Sequence, residues 1–267
     1  SKLNAMKRFL IVLMLASTMI WSCTAMTRVR DPALPLQLQQ NKAIRIQGTI
    51  EGATDQRLLV AMTNYSSRSE DVVIDTIRLV DGRFDFLLKP EDKIGFFALS
   101  FEDNPRQRFV FVASKGDEVV YQGTLEHFSF GRISGSSQDS IFRSFQQMRA
   151  DYVTRINRYG DSSRNTQDVV RKAYYKEMNN LVYNQYSDAV IQFMIDQPGA
   201  YSPLILFKSN VFDRVGKDSS TIIYNMLSPD VANTLLGRDA DKLLSLFPDQ
   251  SSLNGISFPW GDLRDVD

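Results

Sequence analysis

Two side-chain types that carry much of protein chemistry occur once each in this 267-residue chain, as Cys23 and His127. No cysteine follows Cys23, so a Cys-His nucleophile, a thiolate zinc site and a redox C-x-x-C are all missing from the stretch after it. A single histidine removes every two-histidine metal motif. His127 sits in LEHFSF beside a β-like run, where an edge or loop histidine is the plainer reading. A serine nucleophile using it as base would need a sharp turn such as G-x-S-x-G, and GRISGSS, Gly131 to Ser137, has the wrong spacing.

Gly216-Lys217-Asp218-Ser219 is similar to the end of a phosphate loop, but it lacks the earlier glycine and carries Asp218 where Ser or Thr is needed. Asp218 or Ser219 as a helix cap explains it. Asp75, Asp81 and Asp85 resemble a calcium set, although turn and cross-strand roles already account for Asp81 and Asp85. With 31 acidic residues, close carboxylate pairs are inevitable and a carboxylate-based hydrolase stays open as a weak option. The 17 Phe, 10 Tyr and 2 Trp could line a carbohydrate or peptide groove, but most fall on core positions. No catalytic, cofactor-binding or metal-ligating residue, and no cofactor, is expected from this inventory.

Cys23 has a different use. From Met6 the chain reads MKRFLIVLMLASTMIWSC, two bases followed by an apolar run of thirteen residues, Phe9 to Trp21. That is the layout of a secretory signal peptide and is short of the roughly 20 residues a spanning helix needs. Ile20 and Ser22 stand at the −3 and −1 positions of a lipobox-like pattern, with Trp21 bulkier than the usual −2 residue. Lipid attachment at Cys23 is preferred over a plain signal or a buried thiol, because an exported lone cysteine would otherwise be reactive and unpaired. SKLNA, before Met6, reads as upstream read-through or a cloning remnant. The leader holds three bases and no acid, so the 31 bases fall to 28 against 31 acids and the mature chain is at −3. That balance offers no basic footprint for nucleic acid.

The elements follow from periodicity. Residues 24–42 read as a tether. From Ala43 come eight β-like runs: AIRIQGTI, RLLVAMTN, DVVIDTIRLV, RFDFLLK, GFFALSF, RFVFVAS, EVVYQGTL and FSFGRIS. In IRLVDGRFDF, Asp81-Gly82 supplies the positive-φ pair of a type I′ turn. The implied register sets Val80 against Arg83, Leu79 against Phe84, Arg78 against Asp85 and Ile77 against Phe86. Ser114-Lys115-Gly116-Asp117 is a second turn.

After GSSQDS the period becomes helical. Ile141, Phe145, Met148, Tyr152 and Ile156 form one apolar stripe with Gly160 as its stop, and a longer helix from about Thr166 halts after Asp196 at Pro198-Gly199. Shorter pieces follow, SPLILFKSN, SSTIIYNML and SPDVANTLLGRDADKLLSLF, the last with Ser228 as N-cap and Pro229 at the first helical position. The expected fold class is α+β: an N-terminal antiparallel β-sandwich or barrel, then an α-helical hairpin and shorter helices. The expected divisions are a leader, 1–22; a lipid-anchored tether, 23–42; a β-sandwich-like domain, 43–136; a helical region, 137–248; and a linker with a terminal strand, 249–267.

The order of these parts, from IRIQGTIEG through IDTIRLVDGRFDF, FVFVASKGDEVVYQG and ISGSSQDSIFRSF to SPDVANTLL, resembles a known exported module. It is the domain of unknown function that precedes the thioredoxin-like domain in Bacteroidetes-type TlpA/ResA-like thiol-disulfide oxidoreductases, of the alkyl hydroperoxide reductase and thiol-specific antioxidant superfamily. In FPWGDLRDVD, Pro259, Leu263, Asp265 and Asp267 match the P-x-F-x-L-x-D-x-D-G phrase that opens that family's redox domain, while Gly261 departs from it. The resemblance implies a non-catalytic module that positions a redox domain or contacts its clients, with that domain's WCxxC missing from this sequence. It also implies an outer-membrane lipoprotein; the lack of an acidic cluster at Thr24 to Arg30 favours the periplasmic face. The expected partners are the membrane, through the anchor, the redox domain and protein clients. The alternative is a stand-alone periplasmic lipoprotein that binds a glycan, a peptide or a protein.

Overall fold

The computed structural model describes residues 43–63 and 71–246, all within one compact unit, Asn41–Asp267. The leader, Cys23, the tether and FPWGDLRDVD lie outside the described residues.

The β-region is a sandwich rather than a closed barrel. Among the described residues eight strands run β1 Ile44–Glu51, β2 Arg57–Met62, β3 Val72–Arg78, β4 Arg83–Leu88, β5 Ile94–Phe101, β6 Arg108–Ser114, β7 Glu118–Thr124 and β8 Arg132–Ser134. They form two four-stranded sheets of order β4-β1-β7-β8 and β3-β2-β5-β6. All pairings are antiparallel except β1 with β7, where Ile46 lies opposite Val119. Ile44, Ile46 and Ile50 of β1, Phe97, Leu99 and Phe101 of β5, and Phe109 and Phe111 of β6 fill the space between the sheets with Tyr121 and Phe128. Burying one such side chain is worth about 1.5–3 kcal/mol.

The Asp81-Gly82 turn forms as expected, with φ 50° and 71° and both backbone bonds between Val80 and Arg83 at 3.0 Å. The longer register does not form. Beyond that one pair the strands separate, β3 joining β2 and β4 joining β1, so the turn is a corner between sheets. Arg78 therefore reaches Asp55, at 3.9 Å, and Asp85 is held by Arg45 through Nε–Oδ1 at 3.0 Å and Nη2–Oδ2 at 2.6 Å. Leu79, Phe84, Ile77 and Phe86 still share one core, because the space between sheets accepts the same alternation as a hairpin face. Gly82 is obligatory: a Cβ there would lie 2.5 Å from the Ile50 carbonyl oxygen at a φ that L residues avoid. The Ser114–Asp117 turn is a second such corner, carrying the chain from β6 to β7 in the opposite sheet.

The other face of the second sheet packs on helices: α1 Ser137–Asn165, α2 Val169–Asp196, α3 Asp213–Asn225, α4 Pro229–Ala232 and α5 Leu235–Leu246. β5 is buried on both faces; Phe96 points to this second core, edge-on to Phe142 with ring centroids 5.3 Å apart. Helix α1 passes through the expected stop at Gly160, where the absent side chain admits Asn179 of α2, whose amide donates to the Ile156 carbonyl at 3.4 Å. Between α2 and α3 the chain makes a 3₁₀ turn, Ser202–Leu206, and a π-helical turn, Phe207–Phe212, around the buried pair Asn210 Nδ2–Ser187 Oγ at 3.0 Å.

Asp218 and Ser219 lie in the helical run that restarts after a kink at Gly216, φ 72°, rather than before it. The last expected helix is two, because Thr234 turns the chain. Its hydroxyl accepts from Gly237 N–H at 3.3 Å, and Asp92 from the β4–β5 loop accepts from Leu235 N–H at 2.7 Å. Ser228 caps with its carbonyl, which accepts from Val231 and Ala232 N–H, not with its side chain. Among the described residues no helix is long and apolar enough to cross a membrane.

Candidate functional site

Alternation along β1, β4, β7 and β8 sends Arg45, Thr49, Glu51, Asp85, Gln122 and Arg132 away from the sandwich core, giving the first sheet an exposed polar outer face. At one end of that face the chain between β7 and β8 makes a 3₁₀ turn, Phe128–Phe130. Phe128 is fully buried, and its carbonyl accepts from the Tyr121 hydroxyl at 2.7 Å. Tyr121 lies beneath the turn, and burial pushes its phenol well above the ordinary range. A Cβ at Gly131 would collide with the Tyr121 ring, so the approach of turn to strand requires glycine.

Anchoring Phe128 lifts Phe130 into solvent at 85% exposure. Phe130 borders a shallow open groove of about 560 Å³ together with Thr49, Glu51, Gln122, His127 and Arg132. A neighbouring depression shares Glu51, Thr124 and His127 and adds Glu126, so the two carboxylates and the histidine meet on one surface. His127 Nε2 stands 3.9 Å from Glu126 Oε1, and both side chains are exposed. Open to solvent and bordered by hydrogen-bonding groups and the Phe130 ring, this groove has the chemistry to recognise a polar ligand.

Ser136, in the GRISGSS stretch, serves structure. After β8, Gly135 turns at φ 86° and Ser136 caps α1, its hydroxyl donating to the Val112 carbonyl at 2.8 Å and accepting from Asp139 N–H at 3.3 Å. Asp139 is 3% exposed; its Oδ1 accepts from Val112 N–H at 3.1 Å and its Oδ2 from Arg143 Nε at 3.1 Å. Burial raises the Asp139 carboxyl above its ordinary value against the opposing pull of Arg143. This is a buried acid used to fasten a helix to an edge strand. Asp75 accepts from Thr76 N–H at 2.7 Å and Asp85 is engaged by Arg45, so the three acids of the candidate calcium set are not brought together. Among the described residues no group of three or more His, Cys, Asp or Glu could hold a metal ion.

This β-framework has a counterpart. Residues 44–142 match a family described as a domain of unknown function, DUF4369. The DUF4369 match takes in the whole sandwich and ends at Phe142, the first large residue of α1 buried against β5. No curated protein and no solved structure matches the chain.

The run FSFGRIS is expected as a strand, but only Arg132–Ser134 is strand; Phe128–Phe130 turn as a 3₁₀ helix and leave Phe130 exposed. A hint was available: FSF followed by glycine ends an alternating pattern, and only one of two phenylalanines two apart in a three-residue turn has a core to enter.

Proposed function

We propose that this chain carries the non-catalytic N-terminal module of an exported, membrane-anchored thiol-disulfide oxidoreductase, which positions a thioredoxin-like redox domain or contacts its clients. The observation that carries the reading is the DUF4369 match over residues 44–142, since that family is found in TlpA-like proteins. Two sequence features support it: a lone cysteine, Cys23, behind an export-type leader, and a Pro-Leu-Asp-Asp spacing in FPWGDLRDVD like the start of such a redox domain. In this reading the sandwich and helices are scaffold, anchored through Cys23 to an outer membrane and facing the periplasm. The test is a gene product that includes the redox domain, compared with one lacking residues 43–246. Reduction of a small aromatic disulfide should be unchanged, while turnover of protein disulfides should fall several-fold. Equal rates on both substrates would contradict the proposal.

The second reading, a stand-alone lipoprotein that binds a glycan or peptide, is favoured by one observation, the exposed Phe130 beside Glu51, Gln122 and Arg132. Saturable binding of a saccharide or peptide that Phe130→Ala abolishes would support it, provided no redox domain accompanies the chain.

A further inference from the structure

The helical hairpin is longer than the core it serves. Apolar side chains packed into the second core extend along α1 only to Ile156 and begin again on α2 at Tyr186, with Val182 buried one turn earlier. Of residues 157–181, between those limits, one alone is buried, Ser163. At 1.5 Å per residue, the nine residues from Asn157 to Asn165 carry α1 roughly 13 Å past the core. A segment with no apolar surface to bury would be expected to be polar all round. This one is not: Val169 and Val170, at its apex, are 81% and 79% exposed, and Tyr174 one turn on is 53% exposed.

Charge surrounds these apolar side chains. The chain is neutral overall, yet residues 164–176 hold Arg164, Arg171, Lys172 and Lys176 against Asp168, with Asp161 and Glu177 just outside that stretch. Asp168 is occupied as the α2 N-cap, accepting from Arg171 N–H at 3.0 Å. Arg164 is paired with Asp161 at 2.5 Å and Arg171 with Asp168 at 3.8 Å, while Lys172 and Lys176 have no acid bridged to them among the described residues. Exposed β-branched residues at a projecting apex, a tyrosine one turn behind and a collar of bases are the chemistry of an anionic lipid surface. The apolar tip enters the headgroup boundary, the ring lies at its level and the ammonium and guanidinium groups meet phosphates. An acidic protein partner would match the bases but leaves Val169 and Val170 unexplained; a second copy would match the valines but sets like charges together.

We infer that the apex of the α1–α2 hairpin, Arg164 to Lys176, docks on an anionic membrane surface, independently of any lipid on Cys23. The contact would give the module a second hold on the bilayer and so fix its orientation.

The experiment is co-sedimentation with phosphatidylglycerol-containing vesicles and with pure phosphatidylcholine vesicles, at low and at 0.5 M salt. The protein is the chain from Thr24, which keeps the whole compact unit Asn41–Asp267 and omits the apolar run Phe9–Trp21, which would bind vesicles by itself. Binding to the anionic vesicles that salt weakens is expected, with little on phosphatidylcholine. It should fall about tenfold in Arg171→Glu/Lys172→Glu and in Val169→Asp/Val170→Asp, both of which lie outside the cores and should keep the wild-type melting temperature. No binding at low salt would overturn the inference, as would binding that both variants retain. Concentration-dependent self-association lost in the valine variant, without vesicle binding, would assign the apex to a second copy instead.

Discussion

Val112 on strand β6 donates its backbone N–H to Asp139 of helix α1 at 3.1 Å, and its carbonyl accepts from Ser136 at 2.8 Å. β6 is a sheet edge, and these bonds, with Arg143 donating to the Val110 carbonyl at 2.7 Å, satisfy backbone groups that would otherwise template another strand. Asp139→Ala should cost about 1–3 kcal/mol, because it strands a buried N–H. Ser136→Ala should cost about 1 kcal/mol for the lost cap. Urea unfolding of both and of the double variant would show coupling, since the two residues share one partner.

The same carboxyl sets a pH dependence. Its folded value is raised by burial, so the folded state binds this proton more tightly than the unfolded state. Its contribution to stability is therefore unfavourable above the folded value and is relieved as pH falls through it toward the unfolded value. A carbon-detected titration should find Asp139 above the ordinary aspartate value, and Asp139→Asn should flatten this part of the stability profile.

Arg45 and Asp85 test the corrected strand pairing. The Arg45 guanidinium holds the Asp85 carboxyl below its ordinary value, a contribution present above the unfolded value and lost as pH falls through the folded one. Arg45→Ala should raise the Asp85 value toward that of a free aspartate, and Arg78→Ala should leave it unchanged. The reverse result would restore the hairpin register. Both partners are about half exposed, so solvent screens the pair and the change to follow is the Asp85 titration rather than stability.

Tyr121 joins the sandwich core to the turn that exposes Phe130. Tyr121→Phe leaves the buried Phe128 carbonyl without its donor and should cost about 1 kcal/mol. Gly131→Ala should cost more, since its Cβ meets the ring. In an alkaline absorbance titration this phenol should ionise only as the protein unfolds.

Expressed with its leader in a bacterial host, the chain should incorporate labelled palmitate, and Cys23→Ser should abolish the label. A soluble, unlabelled wild-type product would remove the membrane anchor from the account.

Strands such as β1 and β4 were legible because alternation around Ile46 and Phe84 needs only one buried face, whereas the FSF of the last run had no strand partner and became a 3₁₀ turn. Pairing was less legible: Leu79 and Phe84 meet in a core whether their strands form a hairpin or part at a corner. Helix ends depended on partners distant in sequence. Asn179 lets α1 continue past Gly160, Asp92 restarts the chain at Leu235, and Ser187 with Asn210 holds a π turn that no local periodicity announces. For the candidate site, the sequence marked His127 and the turn glycines as local features. The exposure of Phe130 and of Val169 and Val170 could not be read, because it depends on where the two cores stop.

The most direct measurement of the central claim is the nucleotide sequence beyond the codon for Asp267. A redox module of the proposed kind predicts an open frame that continues through a thioredoxin-like sequence with a C-x-x-C motif some tens of residues on. A stop codon with no C-x-x-C before it would contradict the claim and leave the Phe130 groove as the feature to explain.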